Sequence, residues 1–390
     1  MKARYPSLRI VYNTLNVVTT VGPQNLLIKF NFERNLTMGN ILAIDLGKNN
    51  SAVCIFDRSS LKSKFKTVRT RKQVMHDLFA EYQDQVEIVL FETGSQMGWV
   101  ADILWALDIP FKVANTNHPA WKWKNNPNKS DRKDAQRLAM MYNTGFFPSV
   151  YVPKRGVRQK RSLINYRDDL VKRITKIKNS IRAILVREDI HLPVGKKGWT
   201  IKALGPIRGF SMPVKEITDL EEIWKGHLHC ELNLLDDLTE QLRDLESKLD
   251  ALGRIDEKIK RLRTVPGVGP RLSEAVVAII DDPHRFKNGR HVSSYLGMIP
   301  RRWQSGQVDI TGRISKCGNK LLRTLLVEVS WLGLKEPWMR EIYDKVKRGQ
   351  KKRSKVAIVA LARQLLVRCW AILRDESCWD CDHSKRFVKC

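Results

Sequence analysis

The chain has 390 residues, of which 70 are Lys or Arg and 41 are Asp or Glu, so its formal net charge is +29. With 43% hydrophobic residues and a mean hydropathy of −0.35, the chain is neither globally disordered nor a multi-span membrane protein. A positive charge of this size indicates nucleic acid as the partner, in preference to an anionic membrane surface.

The first 38 residues contain little motif content and end at Met38, directly before a strong strand pattern. We predict that residues 1–38 are a dispensable N-terminal extension. Neither a targeting segment nor a membrane-spanning segment is recognised. The seven cysteines are odd in number and scattered, unlike the pairs of a secreted disulfide framework. The expected location is therefore the cytoplasm, in association with the nucleoid.

Apolar runs alternate with helical patterns between residues 39 and 155, and two of the runs end on a carboxylate, Asp45 and Glu92. The predicted strands cover 41–45, 51–56, 86–92 and 111–114, and the predicted helices cover 71–83 and 99–107. This alternation is typical of an α/β domain.

Four carboxylates of this domain form a candidate metal site. Asp45 and Glu92 terminate strands and can meet at one sheet edge, while Asp131 and Asp134 share one face of a predicted helix. Mg²⁺ prefers oxygen ligands, and two such ions can hold the attacking and leaving oxygens of a phosphodiester. Taken singly, Asp131 could equally cap a helix and Asp45 could start a turn.

The region 156–260 is predicted to be helical. Apolar residues recur at steps of three or four from Leu163 to Ile184, and leucines recur in the same way from Leu235 to Leu252. The leucine spacing favours a coiled-coil hairpin or a dimer seam, and an ordinary buried bundle helix is equally compatible with it.

The region 261–375 is predicted to be mainly α-helical. Gly267 and Gly269 lie in a sharp turn between two helices, where a helix N-terminus can contact phosphate or simply form a tight corner. Seven of the eleven residues 345–355 are basic, Lys351, Lys352 and Arg353 among them. This run is interpreted as a phosphate-binding patch, with a solvated loop as the alternative.

Ser305 is a candidate nucleophile, because it lies beside Gly306 and follows Arg301, Arg302 and Trp303. Arginines can neutralise charge that develops on an attacked phosphate. A second basic turn at 312–320 contains Arg313 and Lys316. The alternative for Ser305 is a hydroxyl that hydrogen-bonds its own turn.

Six short motifs, in this order, resemble those of the DEDD-type insertion-sequence transposases: 43–45, 91–94, 129–135, 265–269, 296–301 and 312–316. The resemblance spans roughly residues 39–373. It implies an α/β RNase H-like (RuvC-like) N-terminal domain, a helical coiled-coil middle and a mainly α C-terminal transposase domain. It also implies that Asp45, Glu92, Asp131 and Asp134 bind Mg²⁺, and that Ser305 forms a covalent serine–DNA intermediate during strand cleavage and exchange.

The resemblance implies partners as well. These are double-stranded DNA, as element ends and target, and a structured noncoding bridge RNA that guides some members of the family. A homo-oligomer, dimer or tetramer, would assemble through the coiled coil. The predicted domains are 1–38 (extension), 39–155 (RuvC-like), 156–260 (helical), 261–375 (serine-bearing transposase domain) and 376–390 (tail).

Two other functions are compatible with the residues. A hydrolytic RuvC-like junction nuclease would use the acids without Ser305, and a non-enzymatic nucleic-acid-binding protein would use neither.

In the tail, Cys378, Cys381, His383 and Cys390 could bind zinc, but an unstructured tail with free thiols is favoured. Zinc binding is likewise not favoured for His227, His229 and Cys230.

Overall fold

The computed structural model describes residues 39–121, 130–306 and 308–379, which divide into two compact units between Val152 and Pro153. The predicted N-terminal extension and the tail residues Cys381, His383 and Cys390 lie outside the described residues. The finer domain boundaries proposed from the sequence stay predictions.

The first unit contains a mixed sheet with helices on both faces. Its elements are β1 Asn40–Asp45, β2 Asn50–Phe56, β3 Ser63–Arg69, α1 Lys72–Tyr82, β4 Val86–Glu92, α2 Met97–Ala106, β5 Phe111–Ala114, α3 Asp131–Asn143 and β6 Ser149–Val150. The described strands lie in the order β3-β2-β1-β4-β5-β6. The first three pair antiparallel, β4 and β5 continue parallel to β1, and β6 pairs antiparallel to β5. The predicted α/β domain is confirmed, and its topology is consistent with an RNase H-like fold.

Both faces of the central strands are buried, which explains why β1 and β4 are continuous apolar runs. Ile44 and Phe91 belong to the core shared with α1 and α2. Ala43 and Leu90 belong to the opposite core, which contains α3 residues such as Leu138. Successive side chains of a strand point to opposite faces, so the register of these residues also fixes where the strand-terminal acids point.

The sequence pattern did not predict β3 or β6. Within the described sheet, β3 pairs only with β2 and is largely exposed, and its sequence carries lysines on an edge. Charged edge strands have little apolar periodicity because their exposed face needs none. β6 is two residues long, too short to give a pattern.

The second unit is mostly helical, as predicted. Its helices are α4 Arg155–Arg187, α5 Ile201–Phe210, α6 Ile223–Ile255, α7 Glu257–Arg263, α8 Pro270–Ile280, α9 Gly289–Tyr295, α10 Lys320–Leu332, α11 Pro337–Lys347 and α12 Ser354–Asp375. A β-hairpin that the sequence pattern did not predict lies between α9 and α10, formed by β7 Pro300–Ser305 and β8 Val308–Ile314.

The long helices α4 and α6 pack against each other in an antiparallel pair. The polar contacts run in opposite directions along the two helices: Lys160 to Asp256 at 2.6 Å, Arg167 to Glu246 at 2.9 Å and Ser180 to Glu231 at 3.0 Å. Buried leucines of α6 and isoleucines of α4 form their shared core. The predicted leucine stripe therefore faces a helix of the same chain. Coiled-coil geometry and a dimer seam are not established by these contacts and stay predictions.

The helix α8 lies in the core of the second unit, with every residue from Leu272 to Ile280 buried. Residues 351–375, which include α12, are long and apolar enough to cross a membrane. However, 67% of their most apolar stretch is buried inside the protein, which is typical of a core helix.

Candidate functional site

Asp45 and Glu92 lie side by side at the carboxyl ends of two neighbouring parallel strands. Ile44 of β1 is paired with Phe91 of β4, and each acid is the next residue of its strand. Paired parallel strands run about 4.8 Å apart. Because side chains alternate, and Ala43 and Leu90 face α3, both acids belong to the α3 face of the sheet. Both are half-buried.

Asp131 and Asp134 lie in the first turn of α3, as predicted. Ser130 is the N-cap and accepts a hydrogen bond from the backbone N–H of Lys133, so Asp131 is the first helical residue and not the cap. Asp134 is half-buried, whereas Asp131 is exposed. Since α3 packs on β1, β2 and β4, its first turn is on the same side of the sheet as the strand-terminal acids.

The side chain of Arg137 connects Asp134 with Glu92 electrostatically. Burial lowers the pKa of this guanidinium, and the negative charges of Asp134 and Glu92 act in the opposite direction. Arg137 therefore lies within electrostatic reach of one acid from the sheet and one from the helix. The sequence analysis did not select Arg137, although its position one turn after Asp134 was a usable signal.

The donor set has the right chemistry for Mg²⁺, which takes carboxylate oxygens as ligands. Asp45, Glu92 and Asp134 share one face of the sheet. Across residues 39–121, 130–306 and 308–379, however, no group of three or more His, Cys, Asp or Glu is gathered closely enough to hold a metal ion. The fit is thus one of donor type and shared face, without an assembled coordination sphere.

Ser305 is the last residue of β7 and pairs with Val308 across the tip of the hairpin. Gly306 follows with φ of +56°, a left-handed conformation that glycine adopts readily in tight turns. Ser305 is exposed, and no described residue hydrogen-bonds its hydroxyl. Ser305 therefore ends a strand, and its hydroxyl makes no hydrogen bond within the described part of its own turn.

The arginines beside Ser305 differ in what they contact. Arg302 donates two hydrogen bonds to Asp309, at 2.7 and 2.5 Å, which raises the pKa of the guanidinium and lowers the pKa of the carboxyl. Arg301 donates to the carbonyl of Ser315 at 3.2 Å and is exposed. The charge of Arg302 is compensated by a carboxylate, whereas Arg301 contacts only a neutral carbonyl. Arg301 is therefore better suited than Arg302 to neutralise a phosphate.

The basic turn after the hairpin is held by Arg323 of α10. One nitrogen of its guanidinium donates to the carbonyls of Leu296, Cys317 and Gly318, at 3.0, 2.7 and 3.1 Å. A Cβ at Gly297 would lie 2.2 Å from the Cys317 carbonyl oxygen, so only glycine permits this approach. The predicted residues Arg313 and Lys316 are exposed on this framework. Arg323 is a positioning residue that the sequence analysis missed.

The turn before α8 contains the predicted glycines. Gly267 has φ of +90°, and Gly269 is the N-cap of α8. Arg271, in the first turn of α8, is bound to Asp250 at 2.5 Å and to Glu274 at 2.9 Å. Its charge is therefore compensated within the protein, and an anion at this corner would depend on backbone N–H groups.

The basic run before α12 is at the surface. Lys351 and Lys352 are exposed, and Arg353 is half-buried in the short 3-10 turn that precedes α12. These side chains are available to a phosphate backbone, but they do not lie in any pocket with Ser305 that the described residues define.

The first residues of the tail, 376–379, contain no helix or strand, but Trp379 is held in place by specific contacts. Trp379 donates its backbone N–H to Thr264 at 2.8 Å, and its ring lies 5.3 Å from the guanidinium of Arg368. The other ring around Arg368 is Trp338, at 4.2 Å. Cation–π contacts and a hydrogen bond explain why this segment is held on the second unit. Cys378 is an exposed free thiol.

Two family models match the chain. A DEDD-type IS110 transposase model matches residues 42–188, and the model "Transposase IS116/IS110/IS902 family" matches residues 259–344. Together they cover more than half of the chain and include both the acids and Ser305. The chain belongs to the DEDD-type IS110-family transposases. It is an insertion-sequence transposase, an enzyme that acts on DNA.

Curated relatives agree with this assignment. The transposase of insertion element IS1111A from Coxiella burnetii is 27% identical over 87% of this chain and 91% of the relative. The transposase of IS1328 from Yersinia enterocolitica is 28% identical over 52% of this chain and 58% of the relative. A pilin gene-inverting protein from Moraxella lacunata is 24% identical over 87% of this chain and 97% of the relative.

Proposed function

We propose that this transposase cuts and exchanges DNA strands by Mg²⁺-dependent transesterification, with Ser305 as the nucleophile. The observation that best supports the proposal is that, in a member of this family, Asp45, Glu92 and Asp134 lie on the same face of the sheet. Asp131 completes the proposed ligand set from the exposed side of the α3 turn. When bound there, Mg²⁺ would stabilise the negative charge of the attacking and leaving oxygens.

In the proposed first step, the Oγ of Ser305 attacks the phosphorus of a phosphodiester and loses its proton to water. An Oγ–P bond forms, the bond from phosphorus to one deoxyribose oxygen breaks, and that oxygen takes up a proton from water. Arg301, exposed on the same hairpin, offsets the charge on the phosphate oxygens. In the second step, a hydroxyl of another strand attacks the same phosphorus and releases Ser305. The number of phosphodiester bonds is conserved, so no external energy source is needed.

The nucleic acid is proposed to contact several basic surfaces of the second unit. Arg301, Arg302, Arg313 and Lys316 are on or beside the hairpin, with Arg302 contributing least because Asp309 compensates its charge. Backbone N–H groups near Gly267 and Gly269 are proposed as a phosphate contact. Lys351, Lys352 and Arg353 are proposed to follow the phosphate backbone. The formal charge of +29 supports extensive contact with a polyanion.

The proposed partners are double-stranded DNA, as element ends and target, and a structured noncoding guide RNA. A dimer or tetramer in the cytoplasm is proposed as the working form. The guide RNA and the oligomer rest on the family resemblance, and the high net charge is compatible with both nucleic acids. The proposed domain division follows the boundaries given with the sequence.

One gel separates this function from its alternatives. Labelled DNA with an end of the insertion element is incubated with the full chain and Mg²⁺, with and without the noncoding RNA of the element. A covalent protein–DNA band that Ser305→Ala abolishes and Ser315→Ala preserves is the expected result. Free cleaved ends from Ser305→Ala would establish a junction nuclease instead. A mobility shift without strand breakage would establish a binding protein.

A further inference from the structure

The hairpin that carries Ser305 has two chemically different faces. Trp303 is paired with Ile310, and Ser305 is paired with Val308. Directly paired residues point to the same side of a two-stranded sheet, so these four side chains share one face. The opposite face is polar and carries the Arg302–Asp309 ion pair together with Gln304 and Thr311. The candidate nucleophile is thus on the apolar face.

This apolar face is exposed. The exposed fractions of Trp303, Ile310 and Val308 are 61%, 58% and 54%. At Gly312, a Cβ would lie 3.4 Å from Cζ3 of Trp303, so the indole lies beside the position that a side chain at residue 312 would take. A bulkier residue at 312 would compete with the ring for that space. The hairpin therefore presents a supported aromatic surface two residues, about 7 Å, from Ser305.

The charges around this face favour a nucleic acid as its occupant. Residues 300–320 contain five basic side chains and one acidic side chain, Asp309, which is bound to Arg302. Apolar surface bordered by positive charge matches a nucleobase attached to a phosphate backbone. The surface of a second copy of this chain would bring further positive charge to the same place, because the net charge is +29.

We propose that Trp303, supported by Ile310 and Val308, stacks an unpaired nucleobase of the DNA strand beside Ser305. A base inside an intact duplex is stacked on both sides and cannot lie on the indole, so the hairpin selects DNA that is single-stranded or locally unpaired. The stacked base holds the neighbouring phosphodiester near the Ser305 hydroxyl. Trp303 is then a substrate-binding residue. Only its role in cleavage, and not its binding of a base, rests on the proposed function.

The test compares binding of two probes that need no knowledge of the natural target. These are a fluorescent single-stranded oligodeoxynucleotide and the blunt duplex of the same sequence, both at fixed salt and without Mg²⁺. The proteins are the full chain, Trp303→Ala, Trp303→Phe and the control Gln304→Ala from the polar face. Stacking of one base on an aromatic ring accounts for roughly fivefold to hundredfold in affinity.

We expect Trp303→Ala to bind the single strand at least about fivefold more weakly and the duplex unchanged, with Trp303→Phe intermediate and Gln304→Ala like the parent. Equal loss for both probes, or no loss for the single strand, would overturn the proposal. Sedimentation of the same proteins adds a second criterion. If Trp303→Ala dissociates an oligomer and leaves single-strand affinity unchanged, a second copy occupies the face and the proposal is wrong.

This experiment is independent of the chemistry assigned to Ser305, because it measures binding of the probes and not strand breakage. A missing covalent band with Ser305 intact would refute the proposed nucleophile, yet it would leave a Trp303-dependent loss of single-strand affinity in place. Conversely, a Ser305 adduct with unchanged binding by Trp303→Ala would refute the stacking surface alone.

Discussion

The carboxylates and the serine of this transposase are carried by two very different pieces of structure. Asp45 and Glu92 end strands whose preceding residues, Ile44 and Phe91, are completely buried between two helical layers. Ser305 ends a strand of an isolated two-stranded sheet whose residues are exposed. The protein interior therefore fixes the backbone of the acids, whereas the backbone of the serine has little packing of its own.

This difference indicates when each group acquires its surroundings. Asp45, Glu92 and Asp134 share a sheet face in the fold itself, so the proposed metal ligands lie on the same side of the sheet before any substrate is bound. The serine has an exposed apolar face, and in our account the DNA strand covers it. In the proposed reaction, the surroundings of Ser305 are completed only when DNA is bound, which would limit its attack on other phosphates.

The largest expected effect is at the acids that end the buried strands. Glu92→Gln keeps the size of the side chain but removes its charge, and we expect strand breakage to fall by more than about 100-fold, since loss of an outer-shell partner alone costs 10- to 100-fold. The melting temperature should remain within a few degrees. Rates are measured on element-end DNA with saturating Mg²⁺. The control Asp84→Asn removes an exposed carboxylate just before β4. A fully active Glu92→Gln would remove Glu92 from the metal site.

The second expected effect concerns stability, and it compares the buried core beneath the acids with the exposed hairpin that carries Ser305. Phe91→Ala should lower the free energy of unfolding of the first unit by about 3–5 kcal/mol, because it opens a cavity in a closed core. Trp303→Ala should change stability by only about 0.5 kcal/mol, since the ring is mostly exposed. Urea denaturation followed by circular dichroism measures both. A similar decrease in the free energy of unfolding for the two variants would show that the hairpin face is packed and not exposed.

A smaller effect is expected from the basic run before α12. Replacing Lys351, Lys352 and Arg353 by Gln should reduce the slope of log affinity against log salt by up to about 2.7, which corresponds to three phosphate contacts on duplex DNA. Filter binding between about 50 and 200 mM salt gives the slope. The control replaces Lys196, Lys197 and Lys202, exposed lysines near the far end of α4. An unchanged slope in the first variant would identify the run as a solvated turn.

The smallest effect concerns pH and the polar face of the hairpin. Arg302 lowers the pKa of Asp309 because its hydrogen bonds favour the charged carboxylate. Since the folded pKa lies below the unfolded value of about 3.9, the pair stabilises the hairpin above that value and its contribution is lost as pH falls through the folded pKa. The ¹⁹F signal of 5-fluorotryptophan at position 303 should therefore stay constant from about pH 8 to pH 5. A titration in that range, absent from Asp309→Asn, would contradict this assignment.

The sequence predicted the fold best where burial imposes a strong pattern. The strands before Asp45 and Glu92 are covered on both faces, and so their apolar runs are continuous and end sharply on a carboxylate. The long helices α4 and α6 were predicted for the same reason, because each buries one apolar stripe. The edge strand β3 was missed because its exposed lysines remove the alternation on which the prediction depends.

The surroundings of Ser305 were harder to predict. The two arginines before Ser305 and the glycine after it suggested a loop, whereas pairing between Ser305 and Val308 makes it a strand end. No local pattern could assign Arg302 to Asp309, since that ion pair exists only once the two strands are in register. The docking of Trp379 on Thr264 joins residues that are far apart in the chain and was not foreseen.

Attack on DNA by Ser305 of the hairpin, with the help of Mg²⁺ that the carboxylates would hold, is the main step of the proposed reaction. Its most direct test is mass spectrometry of the covalent complex trapped on element-end DNA. Trypsin separates Ser305 from neighbouring hydroxyl groups, because cleavage after Arg301, Arg302, Arg313 and Lys316 places Ser305 in peptide 303–313, Ser315 in 314–316 and Tyr295 in 291–301. We predict a nucleotide on peptide 303–313, located on Ser305 and not on Thr311 by fragmentation, and absent from Glu92→Gln. A nucleotide on any other residue, or full cleavage by Ser305→Ala without an adduct, would contradict the claim.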